Sequence, residues 1–242
     1  MKSRDSWQPS LRNVAQAYDQ RFSAGGFRES ESFYRWVVRR LALHRRSRLL
    51  DMSCGEGHLL ARASDVEGTE LFGIDISTVA LQISTAHVPC AFLSRCDGVA
   101  LPFPASSFDY VTNLGSLEHY SDVAAGVAEI RRVLRPGGRA AILLPNSYYL
   151  GDIIWWVWRT GYGPSHKQVL ERFATSGEWR DLLESGGLEV LHIHPYNIRS
   201  PWTRADWQWY SARPTRLLSL LFSPMARGNL AYGFLFIARK PF

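Results

Sequence analysis

The chain has 242 residues, of which 46% are hydrophobic and 21% are charged. This size and balance are typical of one folded α/β domain, and they exclude disordered and fibrous proteins. The apolar runs are far shorter than the roughly 18 residues that a membrane-spanning helix needs. The first ten residues also lack the apolar core of a secretory signal. We therefore expect a cytoplasmic protein.

The net charge of +6 is concentrated near the start of the chain. Residues 1–48 hold 11 Arg and Lys but only 4 Asp and Glu. The basic segment at residues 39–48 is a candidate contact for nucleic acid, anionic lipid or an acidic substrate, although its helical spacing favours a solvated helix face. Cys54, Cys90 and Cys96 have neither disulfide nor metal-ligand spacing, so we predict no metal site.

Two helices are predicted before the first strand. A weak one covers about residues 10–22. A stronger, amphipathic one covers residues 30–46, with apolar side chains at steps of three and four and with Ser30 and Ser32 as candidate N-caps.

Five short apolar segments follow, and helical segments separate them. Because they are apolar throughout and do not alternate, they are typical of a parallel sheet that is covered on both faces. Ser121 or Asp122 can cap the helix after the fourth strand, and the Pro-Gly-Gly at residues 136–138 ends it. The predicted strands are residues 49–52, 70–77, 90–94, 107–116 and 139–145.

The alternation of strands and helices stops twice after residue 145. A capping box at Thr175 starts one helix, a strand follows at residues 188–194, and an apolar strand ends the chain. Between them lie two irregular stretches that hold most of the tryptophans. Since ligands bind at the carboxyl edge of an open α/β sheet, these stretches are expected to form a lid over that edge.

The turn from Asp51 to Gly57 joins a strand to a helix, and its glycines allow close approach to a nucleotide-like ligand. The dinucleotide fingerprint needs another glycine where Leu60 stands, which counts against an NAD-linked oxidoreductase. Asp75 ends the second strand and can accept hydrogen bonds from both ribose hydroxyls, or it can cap the next helix. Asp97 can accept from an adenine amine, or it can form a turn.

These motifs follow one another at spacings that resemble a known family. LLDMSCGEGHLL, FGIDIS, CDGVALPFPASSFDYV, SLEHYSD and EIRRVLRPGGRAAILLPN resemble the class I S-adenosylmethionine (SAM)-dependent methyltransferases, in particular the small-molecule branch with quinone and sterol methyltransferases. The resemblance is strong over residues 30–145 and weak over the last strand. It implies SAM as the cofactor and a Rossmann-like, doubly wound α/β fold with a seven-stranded sheet, an antiparallel last strand and helical, aromatic lid insertions.

The resemblance also implies a division of the chain. One methyltransferase domain, residues 1–242, would comprise N-terminal helices (1–48), a SAM-binding core (49–145), two lid insertions (146–175 and 195–229) and the last strand (230–242).

Cofactor-binding residues follow from the same resemblance. The glycine turn would support the methionine part of SAM, the acid after the second strand the ribose, and the acid after the third strand the adenine. The residues carried over are Asp51, Ser53, Gly55, Gly57, Asp75, Ile76, Asp97, Gly98, Asn113, Leu114 and Gly115. Tyr18 is a further candidate that would close over SAM from the N-terminal helix. The family has glycine where Ser53 stands. A serine can enter the turn if its φ is negative, so we expect SAM binding to survive.

Methyl transfer from a sulfonium is an in-line displacement, so it requires an acceptor held in line within a dry site. A base is needed only where the acceptor must lose a proton. His119, in the loop after the fourth strand, is the first candidate base, and His166 in the first insertion is the second. Each has an alternative reading: His119 as a polar loop residue and His166 as a partner in local helix pairing.

The aromatic insertions predict a small, apolar or amphipathic acceptor, bound by the rings at residues 155–158, 202–210 and 217–222. A second hypothesis is that this lid contacts a membrane surface, with the basic N-terminal segment attracted to anionic headgroups. The sequence makes no prediction of the oligomeric state.

Two alternative functions are a SAM-binding partner protein without transferase activity and an RNA methyltransferase that uses the basic N-terminus. The fourth strand ends in Asn113-Leu-Gly-Ser rather than the Asn/Asp-Pro-Pro-aromatic motif of enzymes that methylate exocyclic amines of bases. No recognised RNA-binding module is present. We therefore expect no nucleic-acid partner.

Overall fold

The computed structural model describes residues 10–27, 29–163, 168–197, 200–213, 216–217, 220 and 223–242. Its strands are β1 (Arg48–Met52), β2 (Glu70–Asp75), β3 (Phe92–Arg95), β4 (Phe108–Leu114), β5 (Leu134–Pro145), β6 (Glu189–Tyr196) and β7 (Gly233–Arg239). They form one seven-stranded sheet in the order β3-β2-β1-β4-β5-β7-β6. Strands β1 to β5 are parallel, and β7 is antiparallel to both of its neighbours. The predicted fold class is confirmed.

The helices flank this sheet on both sides. They are α1 (Leu11–Ser23), α2 (Glu31–Leu41), α3 (His58–Ala63), α4 (Thr78–His87), α5 (Val123–Val133), α6 (residues 150–160), α7 (Ser176–Ser185) and α8 (Arg204–Ser211). Within α6, Leu150–Asp152 and Trp158–Thr160 are α-helical and Ile153–Val157 is π-helical. Short 3₁₀ turns lie at Leu117–His119 and Gly228–Leu230.

The sheet has an apolar core on each face. In β1, Leu50 and Met52 belong to one core cluster and Leu49 to the other. The predicted apolar stripe of α2, including Phe33 and Trp36, is buried in the second cluster. Successive strand residues therefore enter opposite cores, which is why these strands are apolar throughout.

Three helical features differ from the sequence prediction. Helix α2 ends at Leu41 rather than residue 46, because Ala42 takes a left-handed backbone with φ 53°. Helices α6 and α8 lie in the stretches predicted to be irregular. Helix α8 starts with a capping box between Thr203 and Asp206 that was not predicted. Residues 153–158 of α6 are all apolar, so they show no helical pattern.

The basic segment at residues 39–48 lies at the amino edge of the sheet. Arg48 begins β1, and Arg45 forms an ion pair with Glu67, which precedes β2. The Arg46 amide donates to the Glu67 carbonyl at 3.1 Å. This segment is therefore opposite the carboxyl edge, where ligands bind in such folds.

Candidate cofactor and acceptor cavity

A cavity of about 730 Å³ lies at the carboxyl edge of the sheet. Helix α1, the loops after β1 to β4 and both late insertions contribute to its wall. Leu170 comes from the first insertion, and Trp209 and Arg213 come from the second, so both insertions cover this edge as predicted. Ten of the predicted cofactor residues line the cavity: Tyr18, Asp51, Ser53, Gly55, Asp75, Ile76, Asp97, Gly98, Leu114 and Gly115.

Asp75 connects the end of β2 to the glycine turn. Its Oδ2 accepts a hydrogen bond from the Gly55 amide at 2.9 Å, and its Oδ1 accepts from the Ser77 amide at 2.8 Å. Ser77, and not Asp75, caps α4 with its side chain. Burial raises the pKa of the Asp75 carboxyl. A carboxylate has about four acceptor positions, so each oxygen can accept a further hydrogen bond from a ligand.

Ser53 enters the turn with φ 60°, so it does so without the negative φ that the sequence analysis named as its condition. A left-handed conformation costs a non-glycine residue roughly 1–2 kcal/mol. The Ser53 hydroxyl forms a hydrogen bond of 3.0 Å with the Tyr120 hydroxyl. The Asn113 side-chain amide donates to the Tyr120 oxygen, also at 3.0 Å. These contacts help to hold the serine in the conformation that glycine adopts more easily.

Tyr120 is a cavity residue that the sequence reading missed. A Cβ atom at Gly98 would lie only 2.2 Å from the Tyr120 hydroxyl and 2.3 Å from its ring. Position 98 therefore has to be glycine for this ring to pack against the loop after β3. No local pattern identifies Tyr120, because its partners Ser53, Gly98 and Asn113 come from three other parts of the chain.

Two predicted cofactor residues, Asn113 and Gly57, do not line the cavity. The Asn113 Oδ1 accepts from the Leu117 amide at 2.9 Å and thus shapes the turn after β4. Gly57 has φ 78°, and a Cβ there would lie 2.4 Å from the Ser84 hydroxyl of α4. The geometry gives both residues a supporting role behind the cavity wall.

Glu118 and His119 form a pair in the turn after β4. The His119 Nδ1 bonds to the Leu170 carbonyl, which requires a proton on Nδ1. The His119 Nε2 lies 3.6 Å from the Glu118 Oε1. The Glu118 Oε2 is buried and has no hydrogen-bond partner among the described residues. Burial raises the pKa of Glu118 to about 8. This side chain was missed because glutamate is seldom buried.

Replacing Glu118 with glutamine should reduce the pH dependence of stability. Since burial raises the Glu118 pKa from 4.5 to about 8, the folded state keeps a proton that the unfolded state releases in this range. Stability should fall as the pH rises through that window. Glu118→Gln should flatten this fall in urea denaturation midpoints. The part due to the other buried carboxyl groups with a raised pKa, which are Asp51, Asp75 and Glu29, should remain. A midpoint that falls in parallel with that of the wild type would contradict this account.

The acceptor half of the cavity has aromatic walls and one charged end. The rings of Phe33 and Trp209 contribute to the walls. At the charged end, the Glu29 Oε2 accepts a hydrogen bond from Tyr196 at 3.2 Å, and Arg213 lies 4.9 Å from the centroid of the Trp209 ring. The cavity is therefore amphipathic. The cavity-lining residues Arg216 and Tyr232 lie near Glu29, whereas the Phe22 ring faces Gly55 of the glycine turn.

The predicted aromatic lid is only partly correct. Trp209 lines the cavity, but Trp155, Trp156 and Trp158 do not and are exposed at 64%, 40% and 82%. Most of the aromatic wall comes instead from α1, α2 and β6. Residues 217–222 lie partly outside the described chain, and His166 lies wholly outside it.

The first insertion is fixed over the turn after β4 by polar contacts. The Tyr18 hydroxyl donates to the Gln168 Oε1 at 3.2 Å. The Arg172 guanidinium donates to the Glu118 and Tyr120 carbonyls at 3.2 and 2.6 Å. These contacts close the cavity on the side of His119.

Comparison with known sequences finds similarity to methyltransferases. Residues 50–142 match a family model described as a methyltransferase domain. A demethylmenaquinone methyltransferase of Staphylococcus aureus is 30% identical over 138 residues, which is 55% of this chain and 57% of that protein. The chain thus spans little more than half the length of the curated relatives that it matches.

Solved structures share the whole fold at low identity. Geranyl diphosphate C-methyltransferase from Streptomyces coelicolor A3(2) superposes with a TM-score of 0.70 and 13% identity, over 96% of this chain and 98% of that one. The 4+2 cyclase SpnF superposes with a TM-score of 0.68 and 20% identity, over 98% of each chain. These likenesses establish the fold alone, since one fold hosts many activities.

Proposed function

We propose that this chain is a class I SAM-dependent methyltransferase that transfers a methyl group from SAM to a small amphipathic acceptor. The methyltransferase-domain match over residues 50–142 and the order of the strands support this proposal. The observation that carries the proposal is the Asp75 carboxylate, which binds the Gly55 amide at 2.9 Å and faces the same cavity as Gly98 and Glu118. SAM, when bound, supplies a methyl group already activated on a sulfonium.

The donor set of the cavity fits SAM. Asp75 offers acceptor positions for ribose hydroxyls, and Asp97 lines the same cavity as a candidate acceptor for an adenine amine. Asp51 and Glu118 are carboxyl groups, and a cationic ligand in the cavity would favour their ionised form. The proposed cofactor residues are Tyr18, Asp51, Ser53, Gly55, Asp75, Ile76, Asp97, Gly98, Leu114 and Gly115, with Gly57 and Asn113 in support.

The chain's own residues would orient the acceptor and exclude water. Aromatic walls favour an apolar body, and the lid contacts of Tyr18 and Arg172 close the site. For an acceptor that must lose a proton, the His119 Nε2 is the proposed base, because its Nδ1 is engaged by Leu170. His166 stays a second candidate.

The proposal treats residues 1–242 as one domain that works in the cytoplasm. Three free thiols, at Cys54, Cys90 and Cys96, are consistent with a reducing compartment. Nucleic acid is not a proposed partner, because Arg45 and Arg46 engage Glu67 at the edge of the sheet opposite the cavity.

The proposed function is tested by S-adenosylhomocysteine formation. The chain would be incubated with SAM and a panel of phenols, quinols, amines and lipid-like acids. Product formation with at least one amphipathic acceptor is expected. SAM binding in calorimetry without product from any acceptor would instead favour the SAM-binding partner protein.

We expect Arg213→Gln to discriminate against acidic acceptors. Arg213 lines the acceptor half. Among the described residues its side chain makes one weak hydrogen bond, 3.4 Å to the Trp209 carbonyl, and lies over the Trp209 ring, so glutamine in its place should leave the fold intact. KM should rise about tenfold or more for acceptors with a carboxylate or phosphate, the value of a charged hydrogen bond. Neutral analogues should be unaffected.

A matched control for this variant is Arg227→Gln. Arg227 is exposed and does not line the cavity. Arg227→Gln should leave the KM for acidic acceptors and the KM for neutral acceptors unchanged. An equal rise in KM for neutral and acidic acceptors in Arg213→Gln would contradict the proposed contact with an anionic group.

A further inference from the structure

Five tryptophans are exposed in the two late insertions. We call them the tryptophan surface: Trp155, Trp156, Trp158, Trp202 and Trp207, with exposed fractions of 64%, 40%, 82%, 79% and 57%. The other tryptophans of the described chain, Trp36, Trp179 and Trp209, are buried. Exposed tryptophans gathered in two insertions mark an interaction surface.

Helix α6 supplies three of these rings and further apolar side chains. Ile154 and Val157 on the same helix are exposed at 48% and 36%. At about 16 Å for 11 residues, α6 is too short to cross a bilayer. No helix of the described chain is long and apolar enough for that. A short apolar helix rich in tryptophan instead suits the headgroup region, where indole rings are favoured.

The charged side chains of the insertions indicate the charge of the membrane surface that they would contact. Among the described residues of 146–175 and 200–229, the exposed charged side chains are all arginine: Arg159, Arg204 and Arg227. Their acidic neighbours Asp152 and Asp206 are partly or fully buried. Arginines beside tryptophans favour an anionic surface, where each basic side chain contributes about 1 kcal/mol.

The predicted help from the basic N-terminal segment does not fit the structure. Arg45 and Arg46 lie at the amino edge of the sheet, whereas the insertions lie at the carboxyl edge. One flat membrane cannot meet both edges at once. The attraction therefore has to come from the arginines of the insertions.

The tryptophan surface is connected to the cavity. Tyr149, directly before α6, packs edge-on against Tyr232 with 5.2 Å between ring centroids, and Tyr232 lines the cavity. In α8, Trp207 is exposed, while Trp209, two residues on, lines the cavity. Each insertion therefore has both exposed tryptophans and a side chain that reaches the cavity wall or packs against it.

We propose that the tryptophan surface docks on an anionic phospholipid bilayer. Helix α6 lies in the headgroup region, and an amphipathic acceptor enters the cavity from the lipid side. The docking itself does not depend on methyl transfer. Only the delivery of the acceptor rests on the proposed function.

The test is co-sedimentation with vesicles at low salt. The full chain should bind vesicles of phosphatidylcholine and phosphatidylglycerol, bind pure phosphatidylcholine more weakly, and show a blue shift of tryptophan emission. The double variant Trp155→Ser, Trp158→Ser should lose about tenfold or more of this affinity because two interfacial rings are gone. Its SAM binding, measured by calorimetry, should be unchanged, which shows that it is folded.

Phe242→Ser is the matched control. Phe242 is 96% exposed and lies near Gly137, at the amino edge of the sheet. The Phe242→Ser variant should bind vesicles as well as the wild type does. Absence of binding to the anionic vesicles, or an equal loss in both variants, would overturn the proposal. So would a dimer in solution that disappears in the double variant while vesicles stay unbound, since the surface would then join two copies of the chain.

Discussion

Replacing Asp75 with alanine should weaken SAM binding by about tenfold to a hundredfold. Loss of hydrogen bonds to a charged group costs about 1.5–3 kcal/mol. The Asp75 carboxylate is 5% exposed and already accepts from the Gly55 and Ser77 amides at 2.9 and 2.8 Å. The alanine variant therefore loses the proposed ribose acceptor and also the link that shapes the glycine turn. Titration calorimetry measures the change.

Asp75→Asn separates these two effects. Asparagine keeps one acceptor oxygen and has nearly the same shape, so it should give an intermediate loss of affinity. Thermal unfolding of both variants shows whether the turn still folds. An unchanged dissociation constant in a folded Asp75→Ala variant would mean that Asp75 is not the ribose ligand.

Replacing His119 with alanine should lower turnover by about a hundredfold while the affinity for SAM stays close to that of the wild type. The Nδ1 of His119 is held by the Leu170 carbonyl, so the ring can offer Nε2 to an acceptor proton. Single-turnover rates measure the loss of turnover, and titration calorimetry measures the affinity for SAM.

His192→Ala is the control for this experiment. His192 lies on β6, is exposed and does not line the cavity. Its rate should match that of the wild type. A loss of only a few fold in His119→Ala would make His119 a loop residue, and the transfer would then rely on orientation alone.

The core of the fold was predictable because its signals are local. Each of the first five strands is a short apolar run, and the turns and caps between them lie next to it in sequence. The capping box of α7 and the cap at Asp122 were found in the same way. Helix α6 was missed because a helix that is apolar on every side shows no periodicity.

The cofactor half was predictable to a similar extent, since its motifs follow the ends of successive strands. The left-handed φ of Ser53 was not, because it depends on the hydroxyl of Tyr120, 67 residues away. Glu118 was missed for another reason. Its burial results from the lid contacts of Arg172 and Leu170, and sequence alone assigns a glutamate to the surface.

The acceptor half could not be predicted, because its contacts join distant parts of the chain. Glu29 meets Tyr196 across 167 positions, and Tyr18 meets Gln168 across 150. The tryptophans of the insertions were predicted to line the cavity because apolar rings are usually buried. The structure instead uses rings of α1, α2 and β6 for the wall and leaves five tryptophans exposed.

The most direct test of the central claim is a crystal structure of the chain with S-adenosylhomocysteine. The account predicts that both ribose hydroxyls lie within hydrogen-bond distance of the Asp75 carboxylate, and that the adenine lies beside Asp97 and Gly98. The sulfur should face the aromatic half of the cavity, near His119. A nucleoside bound elsewhere, or one whose ribose does not contact Asp75, would contradict the assignment of this cavity as a methyltransferase site.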